Sequence, residues 1–331
     1  MRALVQLGGL FIICATAVLL AGCVVITPFT SSNNELKTTV IQGKGNAEIL
    51  WLPVTGFISG QPQSHAFGLM HEPSTLARVS SALDKAEQDN NIAAVILRID
   101  SPGGSVSASD EIYARIQRFK KNNDVPVIAS FGSLAASGAY YIAMGADHII
   151  AQPTTVTGSI GVILLNFDAS DLLHKLGISN ESYVSGPNKD LLSPLKHDSP
   201  EQRRIMDGVI DHLYQRFVQV VRTNRPGLDS NQIDRITDGR VFTANQALKL
   251  GLVDAIGHIP AAIDAAKQRA GVSHARIIRY YRGKQPPRTL YAHASLAGSQ
   301  AAAAQVNILP IKLGLEALDG PRMLYLWQPG S

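Results

Sequence analysis

The stretch that most constrains this chain is a serine in a run of small residues, where an apolar strand meets an apolar helix. From Ile128 to Ala143 the sequence reads I-A-S-F-G-S-L-A-A-S-G-A-Y-Y-I-A. Its apolar start predicts a buried strand, Gly132 interrupts it, and Tyr140-Tyr141-Ile142-Ala143 predicts a helix that begins at once. Ser137 then falls at the turn, among Ala135, Ala136, Gly138 and Ala139. Small flanking residues let a substrate carbonyl approach a serine oxygen on such a strand-to-helix turn. Amides at the helix start would point toward developing negative charge. A serine that merely caps a helix is the plainer reading of the same residues, so the rest of the chain has to decide.

The frame around this turn is α/β. Ile92–Ile99 is a near-continuous apolar run of strand length, as in a sheet covered on both faces. Val125–Ser130 is the next buried strand, and His148–Ala151 and Ser159–Leu165 are shorter ones. Glu48–Ile58 predicts a first strand with Pro53 near its edge. Between the strands, Leu76, Val79 and Leu83 mark one helix, and Ile112, Ile116 and Phe119 another. The alternation implies parallel strand–helix units. Beyond residue 170 the pattern turns helical. Ser199-Pro200-Glu201-Gln202 has the form of a capping box. Ile205, Val209, Leu213, Phe217 and Val221 follow it as a buried stripe, and Thr243–Gly251 is a shorter capped helix.

Composition removes several classes of function. Of 331 residues 45% are hydrophobic and 17% charged, enough apolar material for a sizeable core. The net charge of +4 is modest and no basic helix or aromatic-plus-basic motif is present, so no nucleic-acid partner is expected. The two cysteines, Cys14 and Cys23, both lie near the N-terminus, which excludes disulfides and thiolate metal sites in the body. The nine histidines show no H-x-x-H or H-E-x-x-H pairing, so no metal site is expected.

Ala3–Ile26 is apolar apart from Gln6, Thr16 and the glycines, and about 20 such residues cross a bilayer as a helix. Leu20-Ala21-Gly22-Cys23 resembles a bacterial lipobox, in which Cys23 would carry lipid. An uncleaved anchor is the competing reading. Either one attaches the body to a membrane, and Arg2 on the short side favours the extracytoplasmic face. The expected divisions are 1–26 for this segment, 27–47 for a linker, 48–282 for the folded body and 283–331 for a C-terminal extension. Arg276, Arg279, Arg282, Lys284 and Arg288 read as a solvated strand face, with a basic surface against anionic lipid headgroups as the alternative, and the segment Val306–Trp327 as packing on the body or on a neighbouring subunit.

Two further motifs share the frame with Ser137. Ser101-Pro102-Gly103-Gly104 follows a buried strand; it can be an ordinary turn, or consecutive glycines that expose amides to a carbonyl oxygen alongside the Gly138 amide. Thr157-Gly158-Ser159-Ile160-Gly161-Val162 opens another strand. A serine nucleophile needs a base. His148 and His212 each stand beside an aspartate in sequence, but such neighbours do not face one another on a strand or helix. A lysine serves only when uncharged, so its pKa must fall from about 10.4 toward about 7–8, which requires a dry pocket. Residue pattern alone leaves Lys175, Lys189 and Lys196 open.

L-R-I-D-S-P-G-G (97–104), A-S-G-A-Y-Y-I-A (136–143), T-G-S-I-G-V-I (157–163), S-G-P-N-K-D-L-L-S-P (185–194) and G-R-V-F-T-A-N-Q-A-L-K-L-G-L-V-D (239–254) occur in that order. With them, residues 48 to 282 resemble the signal peptide peptidase SppA family, also called protease IV (peptidase family S49), in its single-repeat form. The resemblance implies an α/β Clp protease/crotonase-like fold and a membrane-attached serine endopeptidase without a cofactor. It implies Ser137 as nucleophile, Lys189 as general base, Ser159 as the residue orienting the lysine, and the amides of Gly104 and Gly138 as oxyanion hole. It further implies a ring-like homo-oligomer in which serine and lysine meet at subunit boundaries, acting on signal-peptide remnants and other apolar peptides. Asp100 stands where the family usually has Asn, and Ala139 where a second Gly is common. The rival readings are a non-catalytic peptide-binding scaffold, a crotonase-type acyl-CoA enzyme and a Ser–His–Asp protease.

Overall fold

The computed structural model describes residues 35–65, 70–283, 285–291 and 322–327. The apolar segment 1–26, with the lipobox Cys23, lies outside the described residues, as do most of the linker's first ten positions and most of the C-terminal extension. No helix among the described residues is long and apolar enough to cross a membrane.

Parallel pairing of apolar strands builds the core. β2 (Glu48–Thr55), β5 (Ile92–Ser101), β7 (Val127–Ala136) and β8 (His148–Ala151) are consecutive parallel neighbours in the main sheet. β12 (Ala255–Ile256) extends it beyond β8, and β13 (Arg276–Tyr281) flanks β2 on the other side. Side chains alternate across the sheet. Leu50, Leu52, Val95, Leu97, Ala129 and Phe131 meet α1 (Thr75–Ala86), α2 (Val106–Asn123) and α3 (Gly138–Ala143) on one face. Ile49, Trp51, Ile96 and Ile128 meet α8 (Ile259–Arg269) on the other. Both faces are covered, which is why these strands are apolar at nearly every position. Pro53 sits where the pairing of β13 with β2, which ends at Leu50, leaves that edge open.

Three expectations need correction. The expected linker 27–47 contains β1 (Lys37–Gly43), antiparallel to β13 at the sheet edge; its Thr-Thr-Val-Ile core has strand propensity that the polar flanks masked. The buried stripe on α5 (Pro200–Asn224) is buried only in its last turns, at Phe217, Val218, Val220 and Val221, whereas Val209 is 40% exposed. The arginine-rich strand is not a solvated face throughout. Arg279 is buried, donates to the Thr289 carbonyl at 3.3 Å, and lines a cavity of about 860 Å³ with Trp51 and Arg98.

The far half of β7 changes partner, from β8 at Ile128–Ser130 to β9 (Val156–Gly158) at Leu134–Ala136. β9 in turn takes β11 (Val241–Thr243), which leads into α7 (Ala244–Lys249), capped by Thr243. β5, β7 and β9 therefore converge at their C-terminal ends, and the turn after β7 opens there. A second, three-stranded sheet lies over this place: β10 (Ile163–Leu165), β14 (Arg322–Leu326) and β6 (Gly103–Ser105), with β14 in the middle.

Candidate active site

Ser137 occupies the turn with φ 55° and ψ −119°, a backbone conformation that non-glycine residues rarely adopt. Its amide donates to the Gly158 carbonyl at 2.7 Å, and its carbonyl accepts the first bond of α3, from Tyr141 N at 2.9 Å. Ser137 caps no amide of α3 with its side chain, so the plain helix-cap reading does not describe it. It is 1% exposed, and its Oγ has no hydrogen-bond partner among the described residues. A buried hydroxyl without a partner costs free energy, and strain at a turn of this kind marks functional sites.

The glycine loop faces this turn. Ser101 Oγ wires its start, donating to the Gly56 carbonyl at 2.6 Å and accepting from the Gly103 amide at 3.1 Å. Ile58 seals one edge, its amide donating to Gly103 O and its carbonyl accepting from Ser105 N. Gly104 must be glycine, because a Cβ there would stand 2.2 Å from the Ile58 carbonyl oxygen. A Cβ on Gly138 would stand 2.5 Å from Ser109 Oγ and 3.2 Å from the Gly104 nitrogen. The two amides thus lie together beside Ser137, and the Gly138 amide, in the first turn of α3, is one that no helical carbonyl reaches. Asp100 braces the opposite side, accepting from Leu134 N at 3.1 Å and packing tightly on Gly132. Ala139 is buried in the core.

Ser159 is also brought here. Its backbone has φ 51°, it is nearly buried, its amide donates to the Arg240 carbonyl at 2.7 Å, and its neighbour Gly158 holds Ser137. The lysines are not brought here. Lys189 lies exposed in a turn of the segment between β10 and α5, with no ion pair among the described residues. Gln202 supports that turn from the start of α5, donating to the Pro187 carbonyl at 2.8 Å and to Asp190 at 3.2 Å. Lys196 is paired with Asp190 at 2.7 Å, and Lys175 ends the short exposed helix α4 (Ser170–Lys175). Of the two histidines, His148 pairs with Asp254 across 3.6 Å; burial holds its imidazole below the ordinary range. His212 lies on the exposed side of α5.

Residue pattern missed one element of the site. Tyr325, on β14, is fully buried; its ring stacks on Tyr141 with centroids 5.1 Å apart and meets the Phe217 ring at a tilt of 51°, centroids 4.7 Å apart. Its hydroxyl donates to the Leu213 carbonyl at 2.8 Å. The apolar run Met323–Leu326 was a visible strand signal, but nothing local to it names its partner.

A sequence model of peptidase family S49 matches residues 119–273, and one of the Clp protease family matches residues 71–157. An Enterococcus faecium protein named as a signal peptide peptidase SppA is 36% identical over 76% of this chain and 72% of its own length. The chloroplastic serine protease SPPA of Arabidopsis thaliana is 34% identical over 65% of this chain. Protease 4 of Haemophilus influenzae is 39% identical over 59% of it, and the chain spans about a third of the length of these two. Among solved structures, a membrane-bound stomatin-specific protease aligns over 67% of this chain and 85% of its own, with 20% identity and a TM-score of 0.40. A ClpP1 variant of Listeria monocytogenes aligns over 64% and 94%, with 18% identity and a TM-score of 0.42. The parallel sheet, the strained serine turn and the match along most of the Enterococcus protein make this chain a member of peptidase family S49, with the Clp protease type of α/β fold.

Proposed function

We propose that the protein is a membrane-attached serine endopeptidase in which Ser137 attacks a peptide carbonyl and Lys189 takes the serine proton. The observation that carries this reading is the buried, unpartnered Ser137 Oγ on a strained turn beside the Gly104 and Gly138 amides. Those amides would stabilise the oxyanion of the tetrahedral intermediate. The acyl-enzyme that follows is released by water, deprotonated by the same lysine, with Ser159 orienting its amine.

Within one chain Lys189 is exposed and does not bond to Ser137, so the lysine of a neighbouring copy is the base we assign to each serine. The segment that carries it supports an assembled state: Phe167, Leu172, Leu176, Ile178 and Tyr183 are all more than half exposed. Burying that surface against a second copy would also remove water from the lysine, as an uncharged amine requires. A ring-like homo-oligomer on the extracytoplasmic face, degrading signal-peptide remnants and other apolar peptides, fits such a dry groove.

The test is peptidase activity of the assembled protein. Ser137→Ala and Lys189→Ala should each abolish turnover, and a fluorophosphonate probe should label Ser137 and no other serine. Full turnover by Lys189→Ala would exclude the proposed base; absence of labelling together with absence of turnover would favour the peptide-binding scaffold.

A further inference from the structure

On the sheet face that α8 covers, β5 changes from apolar to charged. Ala94 and Ile96 belong to the core beneath α8, and the next two residues on that face are Arg98 and Asp100. Beside them on the same face lie Trp51 and Pro53 of β2, Pro53 being the register partner of Arg98, and Arg279 of β13. The pairing of β13 with β2 ends at Leu50, and a cavity of about 860 Å³ opens where the two strands part. The chain beyond β13 returns over it: Arg279 donates to the Thr289 carbonyl at 3.3 Å, and Leu290 packs on the core beneath α8. Tyr291, 74% exposed, also lines the cavity, so its roof reaches solvent. The volume is that of a small-ligand site.

Five arginines line this cavity against two carboxylates, Glu72 and Asp100, and Glu72 is engaged by Arg78 at 2.9 Å. Arg98 makes no ion pair among the described residues. Its hydrogen bonds go to neutral acceptors, Ser130 Oγ at 3.2 Å and the Phe131 carbonyl at 2.7 Å. Both bonds use Nη1, which leaves Nε and Nη2 without a protein acceptor among the described residues. An arginine that served only to brace β7 would not need that second edge. Arg279, on the neighbouring strand, is 1% exposed. Guanidinium groups stay charged at any working pH. Burial pulls both below the ordinary arginine range, with Asp100 opposing the shift at Arg98. Holding two such groups against Trp51 is costly unless an anion shares the space.

We propose that this cavity binds a carboxylate carried on an apolar body, held by the Nε and Nη2 fork of Arg98 and by Arg279. A carboxylate matches such a fork with two parallel hydrogen bonds. A single negative charge suits the wall better than a phosphate dianion, because Asp100 stands in the same wall. The apolar body would lie against Trp51, Leu290 and Tyr291. Two sources share this chemistry: the new C-terminus of a cleaved apolar peptide, and a fatty acid. Apart from Asp100, no lining residue belongs to the site around Ser137, so the proposal stands independently of the protease reading.

The experiment is calorimetric titration of the full-length assembled protein in lipid nanodiscs. Its probes are octanoate, octanamide, N-acetylated Leu-Val-Leu-Ala with a free C-terminus, and the same peptide amidated. At least one acid should bind about tenfold more tightly than its amide. Tighter binding of the peptide acid identifies a cleaved peptide as the source, and tighter binding of octanoate a fatty acid. Arg98→Gln, which keeps a donor for the Phe131 carbonyl, should remove the preference for the acid. Arg98→Lys, a charge without the fork, should retain only part of it. Leu290→Glu places a carboxylate in the cavity without altering Arg98 and should weaken binding of the acid by about tenfold or more. Equal binding of acid and amide, or no binding of either acid, overturns the proposal. So does displacement of the bound acid by inorganic phosphate at equal concentration, or an acid affinity unchanged in both Arg98→Gln and Leu290→Glu. Should Arg98→Gln lose its cooperative thermal transition, Leu290→Glu decides alone.

Discussion

Ser137 pays for its position in backbone strain, of the order of 1–3 kcal/mol for a non-glycine residue at such angles. Glycine adopts the same angles without that cost. Ser137→Gly should therefore unfold in urea with about 1 kcal/mol more stability than Ser137→Ala, although both lack the hydroxyl. Equal midpoints for the two variants would mean that the turn is not strained. At Gly104 the constraint is contact: an added Cβ meets the Ile58 carbonyl at 2.2 Å, so Gly104→Ala must displace the loop and its amide. If that amide is one of the two proposed oxyanion donors, steady-state kinetics should show kcat reduced by about a hundredfold or more. Asp100 belongs to the same scale. Its hydrogen bond is that of an acceptor for Leu134 N, which the similarly shaped asparagine also supplies, so Asp100→Asn should change kcat/KM by less than about threefold.

At the scale of elements, the segment between β10 and α5 is held by polar contacts in place of a core. His197 bridges Asp168 at 2.5 Å and Asp171 at 3.3 Å, and both contacts raise its imidazole above the ordinary range, the Asp168 hydrogen bond most. Asp168 is held down at about 2, first by hydrogen bonds from Ser170, so it stays charged throughout the working range. A raised histidine contributes stability that is complete below its unfolded value and is lost as pH rises through the folded one. Hydrogen exchange of residues 168–198, corrected for intrinsic rates, should accelerate as pH is raised above neutrality, and His197→Ala should remove that dependence. The helices around this segment were legible because their caps are local: Ser199 with Gln202, and Thr243 with Gln246, each close a capping box in the structure. How far the α5 stripe would be buried was not legible. A four-residue repeat identifies an apolar face, but what covers Val209 depends on another surface. β1 escaped notice for the opposite reason, since its strand signal is short and set in polar sequence.

For the whole molecule the decisive matter is that Ser137 and Lys189 are not joined within one chain. If each site takes its serine and lysine from different copies, co-assembly of Ser137→Ala with Lys189→Ala should restore activity. Random mixing of equal amounts gives about a quarter of sites with both groups intact. Recovery of that order, measured after co-expression, is the expected result; no recovery in a mixed assembly shown to contain both variants would place the dyad within one subunit or replace the base. If the exposed apolar residues from Phe167 to Tyr183 form the proposed contact between copies, charge substitution there, such as Leu172→Glu with Ile178→Glu, should disperse the assembly in sedimentation and abolish turnover while leaving the fold intact.

Local sequence determined the parallel α/β frame, the helix caps and the small-residue turn at Ser137, because each is specified by a few adjacent residues. Caps need one oxygen near the first free amides, covered strands need apolar side chains at successive positions, and a sharp turn needs neighbours without bulk. Tertiary structure alone decided that Gly104 and Gly138 present their amides together, that Lys189 does not bond to Ser137, and that Tyr325 pairs opposite Gly104. Those outcomes depend on which strand edge pairs with which, and the backbone groups that make the pairing are the same in every residue but proline.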